Sequence, residues 1–476
     1  MKDLKADIAV IGAGSGGLSV AAGAAQLGLK VVLFERHEMG GDCLNYGCVP
    51  SKALITSGKA AHNARTAARF GIEVSPPKAD WNAVKAHLQR VITTIAPVDS
   101  QERFEGLGCT VIREEARFAD RNTIESASVR VKARRIVVAT GSRASVPPIH
   151  GLAETPYLTN ETIFTLDQLP AHLLILGAGP IGMELGQAFR RLGSEVTILE
   201  PGRALARADA EAAAVAVQSL RHEGVSIREG WTPVRVTGTP TNISILMTGP
   251  AGESETITGS HILVATGRAP VLDGLNLEAG GVAHDAKGIT VKANLRSASN
   301  PRVWAVGDAS GKSLLTHGAG WHASVFVRNA LFKARSTFDA QPMPAVTYCE
   351  PEVGQIGLTE EEAKAKHGNK VRTARWSFEE NDRAVAEGST EGFAKIVTDS
   401  GGTILGATVV GESAGDILQI VGVAMSNGLK IRALTNMIAP YPTRGEIIKR
   451  VAGQWYIPLL FSGRTRALVA VLQRVP

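Results

Sequence analysis

Residues 40–52 read GGDCLNYGCVPSK, with Cys43 and Cys48 five positions apart and Pro50 and Lys52 directly behind them. Two thiols at this spacing can be oxidised to a disulfide and reduced again, provided one of them is held as a thiolate. A free cysteine titrates near about 8.5, and a helix N-terminus or a nearby cation lowers that value. Pro50 suits the first turn of a helix, where its missing N–H had no partner to lose. Cys48 is then expected at the electropositive helix start, with Lys52 one turn on. Five residues of regular helix rise about 7.5 Å, more than the roughly 4.4–6.8 Å Cα separation of a disulfide. If the two cysteines pair, the chain between them has to leave ideal helix, and Gly47 permits it. From these residues alone a redox-active disulfide, a static disulfide and a pair of buried thiols all stand open.

The elements that must position this segment announce themselves by duplication. DIAVIGAGSGG (7–17) and HLLILGAGPIG (172–182) each run from an apolar strand into G-x-G-x-x-G and then a helix. The loops are Gly12, Gly14, Gly17 and Gly177, Gly179, Gly182, and Glu35 and Glu200 each follow the last glycine by 18 positions. This is the dinucleotide-binding βαβ pattern. The glycines allow a tight turn and close backbone approach, the helix N-terminus faces a pyrophosphate, and the acid meets a ribose hydroxyl. RIVVATGS (135–142) and HILVATGR (261–268) echo each other as apolar strands ending in Ala-Thr-Gly, with Thr140, Gly141 and Gly267 where backbone must approach a cofactor.

The 476 residues are enough for several domains, and 44% hydrophobic and 20% charged residues describe a soluble globular protein. Four cysteines are too few for a secreted disulfide scaffold and suit a reducing cytosol, where a disulfide is usually catalytic; the expected location is cytoplasmic. No transmembrane helix is expected, and a buried strand entered by about residue 7 is taken to leave no room for a leader or an extra front module. The formal charge of +6 is local: from Tyr441 onward Arg444, Lys449, Arg450, Arg464, Arg466 and Arg474 face one acid, Glu446. No nucleic-acid footprint is expected from this pattern. Leu468, Val471, Leu472 and Val475 follow an i, i+3, i+4, i+7 spacing, which predicts an amphipathic tail helix packed on its own body, with a membrane or partner contact as the alternative.

Between the first loop and the first Ala-Thr-Gly the pattern predicts helical stretches over 51–70 and 79–106 and strands within 109–138. Pro147 and Pro148 mark a hinge. After the second Ala-Thr-Gly, VWAVGDAS ends a strand at Gly307-Asp308, and 314–331 reads as a helix. Pro342 and Pro344 open a last α+β segment with strands AVTYCE, GFAKIVTD and TILGATVVG and helices over 415–428 and 431–438. The expected fold is α/β, with two Rossmann-like dinucleotide-binding domains and a C-terminal α+β dimerisation domain. The boundaries are 1–150, 151–270, a central 271–340 and 341–476.

With the C-x4-C-x-Pro-Ser-Lys run set between two glycine loops, the chain resembles, over essentially its full length, a class I pyridine nucleotide–disulfide oxidoreductase. That family includes dihydrolipoamide dehydrogenase, glutathione reductase and mercuric reductase. The resemblance implies FAD on Gly12, Gly14, Gly17, Glu35, Gly41, Thr140, Gly141 and Asp308, with Thr316 and His317 approaching the flavin. It implies NAD(P) on Gly177, Gly179, Gly182, Glu200 and Gly267. Lys52 would sit near the flavin and pair with Glu184. Cys48 would face the flavin and Cys43 attack substrate, so that NAD(P)H reduces FAD, FAD reduces the Cys43–Cys48 disulfide, and the thiolates reduce an acceptor. A homodimer completing each active site across its interface is implied as well. Glu200 favours NADH over NADPH, since it would repel a 2′-phosphate, although Arg203 and Arg207 follow closely.

The pattern departs in the last domain. Disulfide-reducing members carry His-Pro-Thr-x-x-Glu from the partner subunit, whereas this chain has Tyr441-Pro442-Thr443-Arg444-Gly445-Glu446 and no histidine after His367. A histidine near about 6.5 exchanges protons at neutral pH, and a tyrosine near about 10 is a poor base. Tyr441 and Glu446 are therefore the candidate residues at the proton site. Mercuric reductases share the tyrosine, but they end in a cysteine pair, and no cysteine follows Cys349 here. The expected acceptor is a small disulfide or a thiophilic metal. Dihydrolipoamide dehydrogenase is the runner-up, and a diaphorase passing electrons to quinones or a partner protein is the alternative of another class. Cys109 and Cys349 read as structural, His317 and His322 as backbone neighbours of the cofactor, and no resident metal site is expected.

Overall fold

The computed structural model describes residues 1–340 and 342–474. They form two compact units, Met1–Pro201 with Arg228–Ala340, and Gly202–Ile227 with Gln341–Pro476. Val475, the last of the tail's spaced apolar positions, lies outside the described residues.

The first unit is built on parallel strands whose apolar runs are buried on both faces, which is why they read as continuous rather than alternating. Lys2–Ile11 lies between Val31–Phe34 and Val129–Val138, with Cys109–Ile112 beyond the former and Val303–Ala305 against the latter. The register pairs Ile11 with both Phe34 and Val138. The chain therefore leaves adjacent strands at Gly12 and Ala139 on one edge, and the carboxyl ends of parallel strands are where such sheets bind ligands. A second parallel set, His172–Leu176 between Glu195–Glu200 and His261–Val264, repeats the arrangement. An antiparallel ribbon of Ser142–Ala144 with Arg268–Pro270 joins the segments that follow the two Ala-Thr-Gly turns.

The second unit holds a five-stranded antiparallel sheet, in the order Ala345–Thr347, Glu352–Gly357, Ile404–Gly411, Phe393–Asp399, Val371–Ser377. The helices Ala414–Ser426 and Glu446–Leu460 pack on it and enclose Phe378, Ile396, Val409, Val421, Ile448 and Val451. The tail does form a helix, Gly463–Leu472, but it buries none of its residues, against the expectation that it packs on its own body. Ala467, Val469 and Ala470 stand at other angles than Leu468, Val471 and Leu472, so from 467 to 472 the apolar surface runs around the helix, and Arg464, Thr465 and Arg466 make only its first turn polar.

One charge lies deep in this unit. The Lys395 ammonium, 6% exposed, lies 3.1 Å from Asp209, 2.9 Å from Glu211 and 3.6 Å from Glu360. Burial works against its charge, but hydrogen bonds to Glu211 and Asp209 and their charges outweigh it and raise its pKa. Asp209 also caps the helix Ala210–His222 by accepting from the N–H groups of Glu211 and Ala212. Lys395→Met strands the buried Asp209 carboxylate and is expected to cost about 3–5 kcal/mol, read as a lower unfolding midpoint in urea. Adding Asp209→Asn should recover part of that loss, and a single variant as stable as the parent would contradict the account.

Candidate active site

The redox segment is shaped by two close backbone approaches. Gly14 and Gly40 form a parallel bridge, and a Cβ on Gly41 would stand 2.8 Å from the Gly14 Cα. Only glycine at 41 lets the segment dock on the first glycine loop. A short helix, Gly41–Asn45, stops at Tyr46 and a longer one, Cys48–Thr66, begins at the second cysteine. Gly47 makes the break with φ −123° and ψ −109°, and a Cβ there would meet the Asp42 carboxylate at 2.8 Å. This is the departure from regular helix that the cysteine spacing demands.

The structure carries the pair as two free thiols, hydrogen-bonded to each other. The Cys43 S–H is the largest cause of a depressed Cys48 pKa of about 6. Burial opposes it, the Thr316 hydroxyl and the Lys52 charge add to it, and Asp42 works against it. Cys43 is pushed up strongly by the same hydrogen bond, by burial and by the charge on Cys48, while the hydroxyls of Thr316 and Ser15 pull the other way. The two shifts run in opposite directions, so Cys48 gives up its proton more readily than Cys43. Lys52 contributes as the sequence implies, but it ranks below Cys43 and below Thr316, whose Oγ1 lies 3.2 Å from the Cys48 sulfur. Thr316 opens the helix Thr316–Phe326, with His317 exposed beside it. The nearness of Thr316 to Cys48 was not readable from spacing.

The Lys52 ammonium donates to the Glu184 carboxylate at 2.8 Å, and the Glu184 side chain is only 7% exposed. Their helices meet closely: a Cβ on Gly58 would lie 3.2 Å from the Ala188 Cα, and Arg65 donates to the Arg191 carbonyl at 2.6 Å.

The two nucleotide loops superpose in chemistry. Gly12 (φ 102°) and Gly177 (φ 101°) take the same left-handed turn, and a side chain on either would press on the carbonyl of Ala139 or Ala265, the first residues of the two Ala-Thr-Gly turns. Gly17 and Gly182 would collide with the carbonyls of Gly12 and Gly177, so both loops close onto their helices. Gly179 meets nothing within 4 Å, and Gly14 only Gly41 at 3.9 Å. The helices that follow, Ser15–Ala25 and Pro180–Leu192, start without a side-chain cap. Open backbone N–H groups beside that space fit a pyrophosphate. Glu35 accepts from the Ala13 N–H at 2.7 Å, and Glu200 from the Ala178 N–H at 3.0 Å. A cleft lined by Gly12, Phe34, Glu35, Arg36, Thr140 and Val271 runs past the first loop. Thr140 donates to the Val271 carbonyl at 2.6 Å, while Gly141 and Gly267 leave open space on their cofactor side. The residues present fit FAD at the first loop and a pyridine nucleotide at the second.

A buried polar chain behind the cysteines escaped sequence reasoning. The Arg268 guanidinium, 14% exposed, bonds the Ser142 hydroxyl and carbonyl at 2.7 Å, Asn160 at 3.3 Å and Asp42 at 3.2 Å. Asn160 donates to Asp42 at 2.8 Å, and Ser142 donates to Asp308. Burial raises the Asp308 carboxyl's pKa, opposed by Ser142 and the Arg268 charge. The one clue was the residue after each Ala-Thr-Gly, serine in one and arginine in the other.

Tyr441 and Glu446 belong to the second unit. Tyr441 is 68% exposed and its hydroxyl donates to Asp382 at 2.7 Å. That hydrogen bond and the Asp382 charge raise its pKa further from the range of a useful base. Glu446 opens the helix Glu446–Leu460 and pairs with Arg450 at 2.8 Å. His322 is buried, accepts from the Gly307 N–H at 3.1 Å and has its pKa pushed down to about 4 by burial. Cys109 is buried, with its pKa raised to about 11 by burial, and buried Cys349 donates to the Pro351 carbonyl. Both keep the structural role expected of them.

In the reduced enzyme, iodoacetamide should label Cys48 first. The rate should rise through pH about 6, where the thiolate forms on raising pH, and Thr316→Ala should move that midpoint upward. A midpoint near about 8.5, that of an ordinary cysteine, would refute the hydrogen-bonded arrangement of the pair.

Known proteins place this geometry. The pyridine nucleotide-disulphide oxidoreductase family matches residues 6–323, and its dimerisation domain matches residues 343–452. The mercuric reductase of Streptomyces lividans is 35% identical over 454 residues, covering 94% of this chain and 95% of that protein. The dihydrolipoyl dehydrogenase of Thermus scotoductus is 35% identical over 452 residues, covering 94% and 96%. Among solved structures, the Cu(II) complex of the HOCl-induced flavoprotein disulfide reductase RclA from Escherichia coli aligns with a TM-score of 0.83 at 25% identity, over 94% of this chain and 99% of that one. The match to a dimerisation domain supports a homodimer. With both nucleotide loops, the cysteine pair and the dimerisation domain in place, the chain belongs to the pyridine nucleotide-disulphide oxidoreductase family of FAD-dependent enzymes.

Proposed function

We propose that the protein is an NADH-dependent reductase of a thiophilic acceptor, with a soft metal ion such as Hg(II) or Cu(II) favoured over a dithiol or disulfide. The observation that carries this is a competent thiol pair without a histidine at the proton site, where Tyr441 stands with its pKa raised. A soft ion binds thiolates directly and displaces the remaining thiol proton itself, so one proton leaves to solvent per turnover and no histidine is needed to return it. For mercury the balance is NADH + Hg(II) → NAD+ + H+ + Hg(0), two electrons in and two out. The likeness to mercuric reductase and to the Cu(II) complex of a flavoprotein disulfide reductase supports the metal class, although no cysteine follows Cys349 in the sequence.

Gly12, Gly14, Gly17, Glu35, Gly41, Thr140, Gly141, Asp308 and His317 would hold FAD, which when bound carries electrons between pyridine nucleotide and the cysteine pair. Gly177, Gly179, Gly182, Glu200 and Gly267 would hold NADH. Arg203, a candidate partner for a 2′-phosphate in NADPH, instead donates to the carbonyls of Ala206 and Ala208. Cys48 keeps the thiolate, Cys43 engages the acceptor, Thr316 and Lys52 stabilise the charge, and Glu184 fixes Lys52. Tyr441 and Glu446 of the partner subunit complete the site. The regions 1–150, 151–270, 271–340 and 341–476 would act as FAD, NAD(P), central and interface domains, and cysteine usage supports a cytoplasmic location. No helix among the described residues is long and apolar enough to cross a membrane.

Anaerobic titration with NADH should produce a long-wavelength absorbance band that Cys48→Ser abolishes. NADH oxidation by Hg(II) or Cu(II) should be lost in Cys43→Ser, whereas a quinone diaphorase would keep its rate. Tyr441→His should raise dihydrolipoamide oxidation by about 10²-fold, the usual scale of a positioned acid–base group. Dihydrolipoamide oxidation by the parent at about 10 s⁻¹, typical of enzymes, would overturn the reading, and a preference for NADPH above about tenfold, a gap of roughly 1.4 kcal/mol, would overturn the role given to Glu200.

A further inference from the structure

The segment after the dimerisation-domain match, which ends at residue 452, carries an apolar surface that the rest of the chain leaves uncovered. Ile457, Leu459, Leu460, Phe461, Leu468, Val469, Val471 and Leu472 are each between 41% and 63% exposed. They lie on the last turn of Glu446–Leu460, on the Phe461–Ser462 corner and on Gly463–Leu472. The corner is a built one: the Ser462 hydroxyl caps the second helix by accepting from the Thr465 N–H at 3.2 Å, and Thr465 donates to the Leu459 carbonyl at 2.8 Å. Arg464 and Arg466 stand at the start of that helix and Arg474 just past its end, and no acidic residue follows Glu446 in the sequence. Glu446 is already engaged by Arg450.

We propose that this helical corner docks the enzyme on an anionic lipid surface. The run from 467 to 472 is apolar on every side and calls for a cover, and the arginines that flank it select that cover. Arginines at both ends of an apolar stretch can extend to lipid phosphates while the stretch enters the boundary between headgroups and acyl chains. Ten residues of helix span about 15 Å, too short to cross a hydrocarbon core of about 30 Å, so the contact is peripheral. Self-association of two such corners would bring like charge against like charge, because a two-fold interface presents one patch to its own copy.

The test is co-sedimentation of the FAD-loaded full-length enzyme with vesicles of phosphatidylcholine alone or with one-third phosphatidylglycerol. The bound fraction should rise at least tenfold with phosphatidylglycerol, fall as salt is raised, and be lost in both Leu468→Glu/Leu472→Glu and Arg464→Glu/Arg466→Glu. Those variants should keep the parent's FAD content, dimer mass and rate of NADH oxidation. Equal binding to both vesicle types would overturn the electrostatic selection. No sedimentation with either, joined to loss of the dimer in Leu468→Glu/Leu472→Glu, would overturn the proposal by showing that a second copy covers the corner. No sedimentation with the dimer intact would overturn it as well.

Discussion

The hydrogen bond between the Cys43 and Cys48 sulfurs organises the first unit. For Cys43 to donate to Cys48 the sulfurs must be in contact, so the helix between them has to be broken, and Gly47 breaks it. The broken segment must still be held rigidly, and it is held by docking Gly41 on the Gly14 backbone. That docking needs the first glycine loop to leave its strand beside Ala139, which the parallel register of Lys2–Ile11 and Val129–Val138 secures. Thr316 then arrives from a helix 268 residues further on to share the thiolate's charge. Each step is cheap alone, and together they make one sulfur of the pair far more acidic than the other.

What could be read from the sequence follows from which constraints are local. The twin glycine loops were readable because backbone turns demand glycine at fixed offsets, and Glu35 and Glu200 because one helix and one strand carry the chain from each loop to its acid. The break at Gly47 was readable from helix geometry against disulfide geometry. Thr316 beside Cys48 and Arg268 beside Asp42 were not, since hydroxyls and guanidiniums occur everywhere and only the folded chain brings these together. The tail misled in another way. Four positions at helical spacing suggested one apolar face, while Ala467, Val469 and Ala470 supplied the others.

The second unit shows how a scaffold can survive while its chemistry changes. Its sheet and covering helices enclose an ordinary apolar core, and Lys395 is fully satisfied within it by three carboxylates. The run from Tyr441 to Glu446 keeps its proline, threonine and glutamate. Its first residue is a phenol tied to Asp382 and reluctant to ionise. A chain can change the residue at this exposed position without disturbing the packing beneath.

The ribbon of Ser142–Ala144 and Arg268–Pro270 has a bearing on how such a protein can evolve or be engineered. Arg268 leaves the second nucleotide sheet, yet it holds Asp42 inside the redox segment and, through Ser142, the Asp308 carboxylate. The cysteine motif is thus not a portable cassette. Recombination that swaps residues 1–150 between distant relatives must bring a matching arginine from the other half, or the transplanted segment loses the clamp behind its sulfurs. The smallest inheritable unit of this chemistry is both halves together.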